Sequence, residues 1–224
     1  MKNLSFIALL LISLAFFSNC GPAKKNIMPV ADNKPETYTV QMLKKLITGR
    51  INIIKSPVKC RFEQNNTTNN LYGELLFENN AASIKLYSAL NYAKIESYCS
   101  TDTMYSIING KYETADLKLY DKNRIMGLIH LILTGKTESP DITITEQTAD
   151  RVIFTVFSGK INIVLDKHTD TIAEIYYQDI KIKYDKYRII NGNQIPIKIR
   201  IESSTPSNSF NAELSFSKNK LWVE

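Results

Sequence analysis

From residue 56 towards the C-terminus, apolar and polar positions alternate with a period of two. Leu71, Gly73, Leu75 and Phe77 stand against Tyr72, Glu74 and Glu78, and Ile84 and Leu86 against Lys85 and Tyr87. The pattern returns at Val152, Phe154 and Val156, at Ile161, Ile163 and Leu165, and at Ile180, Ile182 and Tyr184. It closes with Ile195, Ile197, Ile199 and Ile201, and with Phe210, Ala212, Leu214 and Phe216. The opposite faces carry Lys181, Lys183, Lys198, Arg200, Asn211, Glu213 and Ser215. Such alternation marks antiparallel strands with one buried face and one wet face. Turn-forming stretches separate them at 65–70, 158–159, 166–170, 191–193 and 203–208. The spacing predicts a mainly β (α+β) domain of about ten or eleven strands, in a barrel or strongly curved sheet.

Two segments follow a helical period instead. Val40, Leu43 and Ile47 recur at helical spacing behind Thr37 or Thr39 as caps, with Gly49 as the stop. Residues 121–135 are apolar almost all round: Ile125, Met126, Leu128, Ile129, Leu131, Ile132 and Leu133 leave little polar face. A helix of that kind must be buried on most sides, and a sheet with one apolar face needs a cover. The economical construction wraps the sheet around both helices. A buried strand accounts for only part of so long a stretch.

The first twenty residues decide the compartment. Lys2 is followed by an apolar run from Leu4 through Phe17, then Ser18, Asn19 and Cys20. About fourteen residues fall short of the roughly 20 that a spanning helix needs, so residues 1–19 read as a secretory signal peptide. Phe17 to Cys20 resembles a lipobox, with Phe17 and Asn19 departing from its usual Leu and small residue. The resemblance implies lipidation at Cys20, and more than one acyl chain makes such an anchor stable. Residues 20–36, with Gly21, Pro22, Pro29 and Pro35, form a tether. Residues 37–224 form the domain.

Composition excludes more than it selects. The net charge of +6 becomes +5 without Lys2, and no arginine-rich run or aromatic-basic ladder suggests nucleic acid. Attraction to anionic headgroups beside the anchor is the better reading. Cys60 and Cys99 remain after Cys20; each falls on the more apolar face of its strand, and an oxidising compartment permits either a disulfide or two buried thiols. His130 lies inside the apolar helix and His168 in a turn, both ordinary settings. Glu146 and Asp150 bracket a turn, which is common carboxylate chemistry. No phosphate loop, metal-ligand spacing or nucleophile motif appears, so no catalytic residue, metal or cofactor is assigned and an enzyme is a distant reading. What remains is an apolar concave face suited to an apolar ligand, or filled by its own helices.

The order of segments resembles the LolB-type outer-membrane lipoprotein receptors and, more widely, the LolA/LolB-like fold. Ile84 to Ile95 matches a strand, turn and strand, with Leu90 where that family exposes a loop leucine and Asn91 where its glycine usually stands. Lys111 to Ala115 matches a tyrosine turn. Leu131 to Gly135 matches the end of an apolar helix, without the tryptophan often found there. Tyr187 to Pro196, with Gly192 in its turn, matches the late aromatic strand, which continues through Ile197 to Ile201.

The resemblance implies an incomplete antiparallel barrel with helices across an apolar cavity. It implies a monomer anchored in the outer membrane and facing the periplasm, with the cell surface as the alternative. Such a protein takes acyl chains of other lipoproteins from a periplasmic lipoprotein carrier and passes them on without covalent catalysis. Leu90 would engage the membrane. The expected cavity lining is Leu75, Phe77, Ile84, Leu86, Ile95, Ile129, Leu131, Ile132, Phe154, Ile163, Ile182, Ile197 and Leu214. Three other readings stay open: a lipoprotein of this fold binding another lipid or a protein, a structural envelope lipoprotein with a filled core, and an enzyme.

Overall fold

The computed structural model describes residues 37–64, 67–89, 94–114, 122–138, 141–205, 208–217 and 220–223. Residues 1–36 and Leu90 lie outside them, so the signal peptide, Cys20, the tether and the loop leucine remain sequence expectations.

The described chain is mostly β. It begins with helix α1 (Val40–Ile47) and continues through β1 (Ile53–Gln64), β2 (Thr67–Glu78), β3 (Ala81–Ser88), β4 (Lys94–Cys99), β5 (Met104–Ile108) and β6 (Lys111–Thr114). Helix α2 (Lys122–Thr134) precedes β7 (Thr143–Gln147), β8 (Arg151–Val156), β9 (Ile161–Asp166) and β10 (Thr171–Tyr177). Then come β11 (Ile180–Ile190), β12 (Asn193–Thr205), β13 (Asn208–Phe216) and β14 (Trp222–Val223).

These strands form one antiparallel sheet in the order β6-β5-β4-β3-β2-β1-β13-β12-β11-β10-β9-β8-β7, with β14 paired to the start of β1. Among the described residues β6 and β7 are the free edges, so the sheet is not closed. Consecutive strands are joined mostly by tight hairpins. Asn79-Asn80, Asn109-Gly110 and Asn191-Gly192 all adopt positive φ, the conformation whose twist matches that of paired strands.

Fourteen strands replace the expected ten or eleven. Four of them, β5, β6, β7 and β14, have only five, four, five and two residues. A stretch so short shows at most two alternations, and β7 is exposed at nearly every position. Lys111 to Thr114, matched to a turn by resemblance, is strand β6. Residues 67–70, expected in a turn, belong to β2, because its pairing with β1 runs to Gln64 opposite Thr67. Likewise β12 and β13 pair as far as Thr205 opposite Asn208, narrowing the turn expected over 203–208.

Both helices form where their periodicity places them. Thr39 caps α1, its Oγ1 accepting the Met42 N–H at 3.3 Å, while Leu43 and Ile47 bury the inner stripe. The helix ends at Thr48 rather than on Gly49. Thr48 turns extended and forms a parallel bridge with Thr137, in which the Gly49 N–H donates to the Thr137 carbonyl at 3.1 Å. Helix α2 ends on Gly135, at φ +69°, whose N–H donates to the Leu131 carbonyl at 2.8 Å; a left-handed residue there is the usual helix stop. Among the described residues no helix is long and apolar enough to cross a membrane.

Candidate functional site

The inward faces of the strands make a continuous apolar interior, and α2 is packed into it. All thirteen residues expected to line a cavity are buried, none more than 9 % exposed. Twelve of them belong to one cluster. Ile197 is buried yet stands outside that cluster, near the register shifts that β11 makes between Tyr184 and Tyr187 opposite this part of β12. A strict period of two does not carry through such a bulge.

Specific contacts seat α2. The Tyr184 hydroxyl, from β11, donates to the carbonyls of Leu131 and Ile132 at 3.3 and 3.0 Å, and burial raises its pKa. The Cys99 thiol of β4 lies 3.5 Å from the Met126 sulfur. His130 sits 5.4 Å from the Phe77 ring, centroid to centroid. It is the satisfied core histidine that its setting suggests: Nε2 accepts from the Ile51 N–H at 3.1 Å and Nδ1 donates to the Lys136 carbonyl at 3.0 Å.

The end of α2 and the end of α1 are locked together. The Lys136 ammonium donates to the Leu46 carbonyl at 2.6 Å, at the C-terminal end of α1, where positive charge is favoured; burial lowers its pKa. Beside this junction is a void of about 20 Å³ bordered by Leu46, Ile47, Gly135, Ile172, Tyr187 and Gln194, room for about one water. The start of the domain is held as well. Tyr38 exchanges two backbone hydrogen bonds with the Gln147 side chain, both at 2.9 Å, and its hydroxyl donates to Asp170. None of these tertiary ties was visible in the sequence.

The two core cysteines are free thiols, both buried, which removes the bridge as an alternative. Cys99 pairs with Ala82, which faces Phe77, which faces Ile54 of β1. Cys60 lies further along β1 and three strands away. Three strand spacings alone amount to about 14 Å, whereas bridged Cα atoms lie within about 7 Å. Burial pushes the Cys99 thiol up to about 12 and raises Cys60 as well, so both stay protonated and unreactive.

Polar groups interrupt the interior at few places. Ser97 and Ser106 satisfy each other at 2.8 Å. Asn69 and Ser203 are buried, and their side-chain polar atoms have no partner among the described residues. Asn69 went unread because it falls within a run rich in turn-forming residues. The signal was present nonetheless: Asn69, Leu71, Gly73, Leu75 and Phe77 share one face of β2. His168 lies outside the interior, pairing with Asp150 at 3.0 Å on the surface. Among the described residues no cluster of histidine, cysteine and carboxylate side chains could hold a metal.

No protein-family model and no curated protein sequence matches the chain. Solved structures do. A candidate outer membrane lipoprotein-sorting protein domain from Vibrio parahaemolyticus superposes with a TM-score of 0.53 at 7 % identity, over 82 % of this chain and 90 % of that one. A LolA superfamily protein from Nitrosomonas europaea gives a TM-score of 0.51 at 10 % identity, over 81 % and 93 %. The fold is LolA-like. At such identities the LolA-like likeness concerns the fold alone, and the narrower LolB-type resemblance rests on the sequence segments.

Proposed function

We propose that this LolA-like chain is a membrane-anchored lipoprotein that binds the acyl chains of other lipoproteins within its apolar interior and passes them to the outer membrane. The observation that supports the reading is the lining itself. Inward faces from β2 to β12, with the nearly all-apolar α2 among them, form one hydrophobic cluster inside an unclosed sheet. Acyl chains are bound by such surfaces through burial alone, worth roughly 0.8 kcal/mol per methylene, so no catalytic group is required. In this reading the helices cover the concave face, and the gap between edges β6 and β7 lets the interior open.

The anchor is Cys20, and the partner upstream is a periplasmic lipoprotein carrier delivering to a monomer that faces the periplasm. Tyr38 is clamped at the end of the sheet that holds Gln147 and Asp170, whereas Ser88 and Lys94, the described residues of β3 and β4 that flank Leu90 in the sequence, stand at the opposite end. The nineteen residues from Cys20 to Tyr38 reach about 60 Å when extended. That is enough for either end to approach the bilayer, which keeps Leu90 available to engage it.

A second reading, an envelope lipoprotein with a filled core, is favoured by one observation: the lining is already covered, at 9 % exposure or less. Titration with a fluorescent fatty acid separates the two. Saturable binding that a charge at Leu131 weakens, in a variant whose circular dichroism is unchanged, is expected for the first. A folded chain that binds none at any concentration establishes the second. For the hand-off itself, Leu90→Glu is expected to keep acyl binding but to slow transfer of bound lipoprotein into liposomes. For the anchor, Cys20→Ala is expected to abolish incorporation of labelled palmitate.

A further inference from the structure

The chain has one tryptophan, and Trp222 is 60 % exposed, although tryptophan is highly buried on average. It lies on β14, opposite Lys55 near the start of β1. Ile189, on β11 beside the turn into β12, is 66 % exposed. The two elements are tied together: the Asn191 side-chain amide in that turn donates to the Val223 carbonyl of β14 at 2.8 Å. Gln194, opposite Ile189, borders the same small void as Asp170, the residue that accepts from the Tyr38 hydroxyl. The place where the tether joins the domain therefore lies beside this hairpin, at the end of the sheet away from Ser88 and Lys94.

Charge at this end is arranged differently from charge further along the sheet. Lys181, Lys183, Lys198 and Arg200, on β11 and β12, all form ion pairs. Lys55 opposite Trp222, Arg188 next to Ile189, and Lys44 and Lys45 of α1 are exposed and have no ion pair among the described residues. The carboxylates Glu138, Asp150, Asp166 and Asp170 are engaged by Arg50, by His168, by the backbone of their own turn and by Tyr38. Glu78 at the end of β2 stays open, but the cations around Trp222 and Ile189 outnumber it.

Single exposed apolar residues are ordinary on a protein surface, and Trp222 or Ile189 alone would carry nothing. Together, rimmed by unpaired cations and placed where the tether joins, they suit a lipid surface. Tryptophan and aliphatic side chains settle at the boundary between headgroups and acyl chains. Lysine and arginine close to that surface are drawn to anionic lipid.

We propose that this end of the domain docks on the bilayer, with Trp222 and Ile189 at the headgroup level and Lys44, Lys45, Lys55 and Arg188 against anionic headgroups. The occupant is the lipid surface because the tether from Cys20 brings that surface to this end first. Docking sets a resting orientation in which the end bearing Ser88 and Lys94 points away from the membrane, open to an incoming carrier. The tether is long enough for the domain to lift and turn its other end down, so this contact and the one expected of Leu90 alternate. The proposal rests on the anchor at Cys20 and adds which face meets the membrane.

The test uses the full acylated chain, reconstituted in vesicles of phosphatidylcholine with or without phosphatidylglycerol, and with or without brominated acyl chains. Trp222 is the sole tryptophan, so its emission reports on this patch alone. Blue-shifted emission that bromine quenches is expected, more strongly with phosphatidylglycerol and less at high salt. Lys55→Gln and Arg188→Gln alter exposed side chains, and circular dichroism verifies that the fold is kept. Each is expected to lower the ratio of docked to undocked chain about fivefold. Flotation of the vesicles reports the anchor separately. A chain that floats while Trp222 emits as in water and is not quenched overturns the docked end and leaves the anchor standing. A blue shift that bromine does not quench, growing with protein density, means that a second copy covers the patch and also overturns the proposal. A chain that does not float overturns the anchor and this contact together.

Discussion

The imidazole of His130 accepts a hydrogen bond from the backbone N–H of Ile51, so a side chain inside α2 holds the segment that leads from α1 into β1. The same ring donates from Nδ1 to the Lys136 carbonyl. Both bonds require the neutral imidazole with its proton on Nδ1. Burial, opposed by these hydrogen bonds, lowers its pKa from the ordinary 6.5, with Glu138 and Arg50 as the charges that act on it.

Stability should therefore depend on pH in a defined sense. The folded state binds the proton less readily than the unfolded chain, so the contribution is complete above about 6.5. It is lost as pH falls from there through the folded value. Between about pH 7.5 and about pH 5 the wild-type melting temperature should fall more steeply than that of His130→Gln, which cannot titrate. Parallel slopes for the two chains would remove His130 from the pH dependence.

Tyr184→Phe isolates the bond between β11 and α2. The ring remains, but the Leu131 and Ile132 carbonyls lose the bond from its hydroxyl. A loss of about 1 kcal/mol in urea unfolding is expected, with an unchanged slope. Leu131→Ala removes a fully buried side chain of the same helix and should cost about 2–5 kcal/mol.

Gly73→Ala should be far worse than an ordinary glycine replacement in a strand. A Cβ at Gly73 would lie 1.7 Å from the Lys85 carbonyl oxygen of β3, so the backbones of β2 and β3 would have to separate. Loss of soluble folded chain is expected, read by circular dichroism and yield; a normal melt would contradict this close approach.

Cys60 and Cys99 should resist a thiol reagent until denaturant is added, and then react together. The chain has three cysteines in all. A denatured count of two in the mature protein, against three in a chain made without processing, would report acylation at Cys20.

The inner residues of β8, β9, β11 and β13 were legible because a buried face opposite a wet one enforces a period of two, and these strands are long enough to display it. Helix α2 was legible for the opposite reason, having almost no polar face to hide. Legibility fails where the physical cause is non-local. The edge strands β6 and β7 are short and exposed, so their sequence records little of their pairing. Ile197 is buried like its neighbours but stands outside the main cluster, opposite a bulge in the partner strand. Asn69 was missed because asparagine marks turns far more often than interiors.

The sequence by itself determined the class of fold, the place of both helices and the apolar face. Each of these depends on the periodicity of neighbours along the chain, which binary patterning records. Only the tertiary structure decided which strands meet, and hence that Cys60 and Cys99 stand three strands apart. It also decided that His130 bridges α2 to Ile51 and that Asn69 is sealed beside Phe62 with both amide atoms unanswered. Those facts depend on register between segments far apart in the chain, and alternation specifies a strand's face without specifying what lies across from it.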